Sequence, residues 1–160
     1  MFTEMTHSPY ETIRLAETVG KRIREGTVLC LEGELGAGKT LFVQSMAKTL
    51  GVEGEVTSPT FNLMNVYEGI CPIYHFDLYR LNGEEELEDI GFYEYIEVSE
   101  GIVVIEWADK FPDSLPDEYV SVRFERVEDS ERDRKITFSC RGEENEDFLK
   151  ELEHFVHTGD

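Results

Sequence analysis

The chain has 160 residues, 40% of them apolar and 31% charged, the composition of a globular protein about one domain long. Fifteen Lys and Arg stand against 35 Asp and Glu, and the resulting net charge of −20 argues against a direct reader of nucleic acid or of an anionic membrane. No apolar run approaches the ~20 residues that span a bilayer, the longest being Gly101-Ile-Val-Val-Ile105.

Met1–His7 has neither the basic region nor the long apolar stretch of a secretory leader, so a cytosolic protein is expected. Cys30, Cys71 and Cys140 are widely spaced without a C-x-x-C pair, which predicts free thiols in a reducing compartment. Neither a repeat nor a linker-like stretch divides the sequence, and residues 1–160 are expected to fold as one domain.

Ser8-Pro9-Tyr10-Glu11 reads as an N-cap, a first-turn proline and a capping-box acid. Ile13, Leu15, Ala16, Val19 and Ile23 follow at helical spacing, and the helix is predicted to stop near Gly26. Thr27–Leu31 has the composition of a buried strand, and after a glycine-rich turn Leu41–Leu50 continues as a helix ending at Gly51. Phe61–Tyr67 and Ile70–Tyr79, separated by Glu68-Gly69, predict an antiparallel hairpin. The second arm carries Tyr74, Phe76 and Leu78 on one face and His75, Asp77 and Tyr79 on the other. Residues 82–100 hold eight acidic side chains and no basic one, yet Leu87, Ile90 and Tyr95 keep the spacing of one short amphipathic helix. Gly101–Trp107 reads as a strand buried on both faces and ending in an acid. Tyr119–Val127 and Lys135–Cys140 alternate as two more strands about a charged turn, and Phe148, Leu152, Phe155 and Val156 mark a C-terminal helix. The expected fold is α/β, a mixed sheet flanked by helices, of the P-loop NTPase kind.

Gly33-Glu-Leu-Gly-Ala-Gly-Lys-Thr40 matches G-x-x-x-x-G-K-[ST] at every fixed position and lies between a predicted strand and a predicted helix. Gly33, Gly36 and Gly38 allow positive φ and close approach of backbone N–H groups to phosphate, and the helix aims its positive end at the same place. Lys39 supplies a point charge for the β- and γ-phosphates, and the Thr40 hydroxyl suits magnesium.

Such a site also needs a carboxylate at the end of a neighbouring strand. Glu106 follows the more apolar strand and is the better magnesium ligand, direct or through water, whereas Asp77 suits orienting water or metal from the side. His75 reads more readily as a structural hydrogen-bond partner than as a catalyst. Thr57-Ser-Pro-Thr-Phe61 lies where P-loop proteins place a segment sensing the γ-phosphate, with Ser58 or Thr60 offering a hydroxyl. Trp107 suits either the core or a cover over the nucleotide, and His154-x-x-His157 reads as two exposed histidines rather than a metal site.

The P-loop, Thr57–Phe61, His75-Phe-Asp-Leu-Tyr-Arg80 and Glu106-Trp107, in this order from about Tyr10 to Lys110, resemble the bacterial TsaE (YjeE) family. The resemblance implies an ATPase needed for threonylcarbamoyladenosine formation on tRNA next to the anticodon, working with TsaB and with TsaD, the transferase. It further implies that Leu35, Gly36, Ala37, Gly38, Lys39, Thr40 and Leu41 hold ATP, that Thr40 and Glu106 bind Mg2+, and that Asp77 assists hydrolysis. Thr60 falls in the switch-like segment and Trp107 near the nucleotide. Pro9 or Thr12 corresponds to a helix start bordering the nucleotide, and Arg132-Asp-Arg134 to a basic run before the late hairpin strand. The acidic charge agrees with tRNA being held by partners. Two other readings stay open, a nucleotide switch that does not hydrolyse and a small-molecule kinase. Arg80 as the one basic residue between Thr49 and Gly101 weighs against the kinase.

Overall fold

The two most apolar runs of the sequence lie side by side in the middle of a seven-stranded sheet. The computed structural model describes residues 1–34, 36–56, 63–97 and 100–158. In chain order the elements are β1 (Phe2–Thr6), α1 (Pro9–Arg22), β2 (Val28–Gly33), α2 (Lys39–Thr49), β3 (Met64–Glu68) and β4 (Pro72–Asp77). Then come α3 (Glu85–Asp89), α4 (Phe92–Ile96), β5 (Ile102–Glu106), two single 3-10 turns (Ala108–Lys110 and Pro112–Ser114), β6 (Tyr119–Arg126), β7 (Arg134–Arg141) and α5 (Glu143–Thr158).

The strand order is β1-β7-β6-β2-β5-β4-β3, with β4, β5, β2 and β6 parallel and β3 and β7 antiparallel to their inner neighbours. The expected α/β fold, a mixed sheet with flanking helices, is what the chain adopts. β2 alternates Leu29 and Leu31 into the layer under α1, α2 and α5, and Val28 and Cys30 into the layer under α3 and α4. Both faces are covered, which explains why β2 and β5 are apolar throughout rather than alternating. Among the described residues no helix is long and apolar enough to cross a membrane.

α1 starts as its sequence predicts, with the Ser8 hydroxyl accepting from the Glu11 N–H at 3.2 Å. It ends at Arg22, short of Gly26, because Ile23 already turns to extended backbone at ψ 142°. The 82–100 segment differs more. It holds two short helices rather than one, broken where Gly91 takes φ 72°. Leu87 and Phe92 from the two pieces are both fully buried against Phe76, Leu78 and Ile105, a packing that a single straight helix does not provide. The hairpin forms with Glu68 opposite Pro72; within the described residues, which leave out 61 and 62, β3 covers Met64–Glu68, and β4 stops at Asp77, leaving Tyr79 beyond the strand. β1 is an addition that the sequence reading lacks, a five-residue strand paired with β7 and anchored by Phe2 stacked on Phe138.

α1 and α2 pack closely at Gly20, where an added Cβ would sit 3.0 Å from both the Met46 carbonyl oxygen and the Thr49 Cβ.

Candidate functional site

The parallel strands deliver their C-terminal ends to one edge of the sheet, the place where open α/β sheets bind ligands. There β2 runs into the glycine-rich loop, β4 ends in Asp77 and β5 ends in Glu106. Asp77 and Glu106 are direct register partners, and Leu31 of β2 faces Glu106 from the other side. The two acids, assigned different roles on sequence alone, thus stand side by side on adjacent strands.

The loop is built for backbone exposure. Gly33, Gly36 and Gly38 adopt φ of 134°, 76° and 109°. At Gly33 a Cβ would collide with the Phe124 carbonyl oxygen of β6, so the strand-to-loop turn tolerates only glycine. A Gly33→Ala variant is expected to lose about 1–3 kcal/mol of stability from backbone strain alone, read as a lower urea midpoint at unchanged m-value. Gly38 is the N-cap of α2 and supplies no side-chain acceptor, and the first turn of α2 contains no acidic residue. The positive end of this 11-residue helix is thus left to an anion.

Lys39 is 5% exposed, and its Nζ donates to the Gly33 carbonyl oxygen at 2.7 Å while lying 4.2 Å from the centre of the Trp107 ring. Burial pulls its ammonium below the usual lysine range, against the opposing pull of Glu106, Asp77 and Asp109. Trp107, at φ 62°, packs against Tyr79 with ring centres 4.8 Å apart and the rings tilted by 44°. It stands at the site edge over Lys39 rather than in the core proper.

Glu106 is 4% exposed and its Oε2 lies 2.6 Å from His75 Nε2, which is itself buried. His75 therefore makes a buried hydrogen bond, not to a local group as its sequence suggested but to a residue 31 positions away. Asp77 Oδ1 accepts from the Tyr79 N–H at 3.0 Å. Burial raises the Asp77 carboxyl above the usual range and Glu106 adds to the rise, while the Tyr79 N–H, His75 and Lys39 lower it. A folded-state value above the unfolded one means that the native chain holds this proton longer. Stability is then lost as pH rises through that interval. Asp77→Asn is expected to raise the melting temperature at pH 7 relative to the parent and to flatten the fall in stability just above the usual carboxylate range, both read by thermal melts across pH.

Thr40 sits in the first turn of α2 and Leu41 follows it; Ala37 is buried beneath the loop. Leu35 and Thr60, with the whole segment 57–62, lie outside the described residues. α1 starts at the same edge, since Thr6 at the end of β1 pairs with Arg134, which pairs with Arg126 at the end of β6. Pro9 is exposed there, but the Thr12 hydroxyl is buried and bonded to that of Thr6 at 2.8 Å. Arg132 is exposed on the turn between β6 and β7, whose Asp133 meets His7 at 3.2 Å. One residue at this edge escaped the sequence reading. An Arg126 guanidinium nitrogen lies 2.6 Å from where a Gly36 Cβ would be, so this arginine lies directly against the loop. Only the pairing of Gly33 with Phe124, two residues before Arg126, places it there, and strand order is not written in local sequence.

The donor set suits a magnesium nucleotide. A hydroxyl at the helix start, two carboxylates at strand ends, glycines with exposed backbone and a buried ammonium are the hard-oxygen and cationic groups that a polyphosphate and its metal require.

A family model described as threonylcarbamoyl adenosine biosynthesis protein TsaE matches residues 6–136. The chain belongs to the TsaE family. Similar proteins include the "tRNA threonylcarbamoyladenosine biosynthesis protein TsaE" of Bacillus subtilis, 40% identical over 148 residues that cover 92% of this chain and 90% of that protein. Those of Treponema pallidum and of a Nostoc species bear the same name and are 40% and 42% identical, covering 81% of this chain in both cases and 95% and 82% of those proteins. The crystal structure of Bacillus subtilis YdiB superposes with a TM-score of 0.80 at 34% identity, covering 96% of this chain and 94% of that one.

Proposed function

We propose that this chain is a magnesium-dependent ATPase that acts in threonylcarbamoyladenosine modification of tRNA next to the anticodon, with TsaB and TsaD as partners. The family gives the pathway, and one observation carries the ATPase reading. A desolvated lysine inside a glycine loop faces two carboxylates on neighbouring parallel strands.

The backbone N–H groups of the loop, through Leu35–Leu41, would cradle the ATP phosphates, and the positive end of α2 would favour their charge. Lys39 would exchange its bond to the Gly33 carbonyl for the β- and γ-phosphate oxygens. Thr40 and Glu106 would hold Mg2+, which when bound would neutralise charge on the phosphates. Asp77, half-buried beside Glu106, would orient the attacking water, and Thr60 would report the γ-phosphate from the 57–62 segment. Trp107 would border the nucleotide, with Pro9, Thr12 and Arg132 at the outer rim.

Turnover by the isolated chain is expected to be slow. An arginine that a partner supplies to the transition state is worth about 10³–10⁵ in rate. The charge of −20 leaves tRNA to TsaB and TsaD. The deciding experiment measures Mg2+-dependent ATP hydrolysis by the chain alone and with TsaB and TsaD, beside Lys39→Ala and Glu106→Ala. Stimulation by the partners, lost in both variants, supports the reading. ATP binding with no turnover under any condition replaces it with a passive nucleotide switch, and a phosphorylated metabolite replaces it with a kinase.

A further inference from the structure

Behind Glu106 lies a polar chain that neither the loop nor the sheet requires. Tyr67, His75 and Glu106 come from β3, β4 and β5 and are all buried. The direct cross-strand partners of His75 are Asn65 and Val104, so Tyr67 and Glu106 each lie two residues further along and share its face of the sheet. Tyr67 Oη is 3.0 Å from His75 Nδ1, and His75 Nε2 is 2.6 Å from Glu106 Oε2. Asn65 Nδ2 donates to the Tyr67 oxygen at 3.4 Å.

A carboxylate oxygen accepts, so Glu106 Oε2 takes the Nε2 hydrogen of His75, whose other ring nitrogen meets the Tyr67 hydroxyl. The result is a directional chain that ends on one oxygen of Glu106. Asp77 is held separately, by the Tyr79 N–H.

We propose that Tyr67 and His75 are positioning residues that lock Glu106 Oε2 and leave its Oε1 as a single, pre-aimed ligand for the metal of the ATP complex. This rests on the magnesium-ATP reading given above. A glutamate has three rotatable torsions, and an untethered carboxylate samples one-oxygen and two-oxygen ligation. Mg2+ demands near-ideal octahedral geometry, so a carboxylate with one oxygen already committed suits it. Apolar side chains of similar volume at 67 and 75 would serve a buried sheet face at least as well for stability.

The test compares the parent chain with Tyr67→Phe, His75→Leu and His75→Gln, whose amide still donates towards Oε2. Mn2+ affinity of the ATP-bound chain is read by electron paramagnetic resonance, and ATP affinity without metal by calorimetry. Loss of a hydrogen-bond partner behind a metal ligand weakens metal binding about 10–100-fold. Tyr67→Phe and His75→Leu are therefore expected to weaken Mn2+ binding by about tenfold, with His75→Gln recovering most of the loss and metal-free ATP affinity unchanged in all three. If His75→Leu does not fold, Tyr67→Phe decides. A change of less than about threefold in folded Tyr67→Phe overturns the proposal, as does a loss of metal-free ATP affinity equal to the loss of metal affinity. A parent chain whose ATP affinity is indifferent to metal instead overturns the magnesium-ATP reading itself.

Discussion

Lys39→Met is expected to lower ATP hydrolysis by about 10²–10³-fold, the range for removing one pre-organised charge-stabilising donor, while leaving the fold intact. Lys39 is buried, and that burial disfavours its charge in the folded chain. A lysine whose folded value lies below its unfolded value is charged at the expense of stability at neutral pH. Methionine keeps the apolar stem under Trp107 and removes that charge. The melting temperature is therefore expected to hold or rise even as ATP binding and turnover collapse, a combination that calorimetry and a phosphate-release assay read together. A variant that lost turnover only by unfolding would show the opposite thermal shift.

Glu106→Gln is the second large effect. The amide oxygen can still accept from His75 Nε2, so the buried hydrogen bond is retained while the carboxylate charge is removed. Mg2+-dependent hydrolysis is expected to fall by about 10²–10³-fold with metal-free ATP affinity close to that of the parent. Glu106→Ala removes the acceptor as well and leaves the buried imidazole without it, which costs about 1–3 kcal/mol of stability. The two substitutions therefore separate the charge from the hydrogen bond. Comparable activity loss with different urea midpoints is the expected pattern.

The elements that carry the chemistry were legible because each is local. Gly33–Thr40 announces itself by spacing, Ser8-Pro9 caps its helix in sequence, and Val28–Leu31 and Ile102–Ile105 are apolar on both faces because both faces are covered. What stayed hidden depends on strand order. The pairing of Asp77 with Glu106, the reach of Arg126 to the loop and the bond from His75 to Glu106 all follow from β5 lying between β2 and β4 and from β6 flanking β2. No local pattern encodes those adjacencies. β1 was missed because five residues with two buried positions make too weak an alternation, and its pairing partner lies 128 or more residues away. The acidic segment misled in the other direction. Its helical spacing is real on each side of Gly91, but that glycine turns the chain, and one periodic pattern spans two helices.

The tight contact at Gly20 has a mechanical meaning. α2 is rooted in the phosphate loop and α1 begins at the same edge. With the Met46 carbonyl against Gly20 there is little slack for one helix to slide along the other. The two helices are held together there, and at the start of α1 His7, just before Pro9, touches Asp133 on the loop between β6 and β7. The Gly20 contact and the His7–Asp133 pair thus join α2 and α1 to a turn much further along the chain.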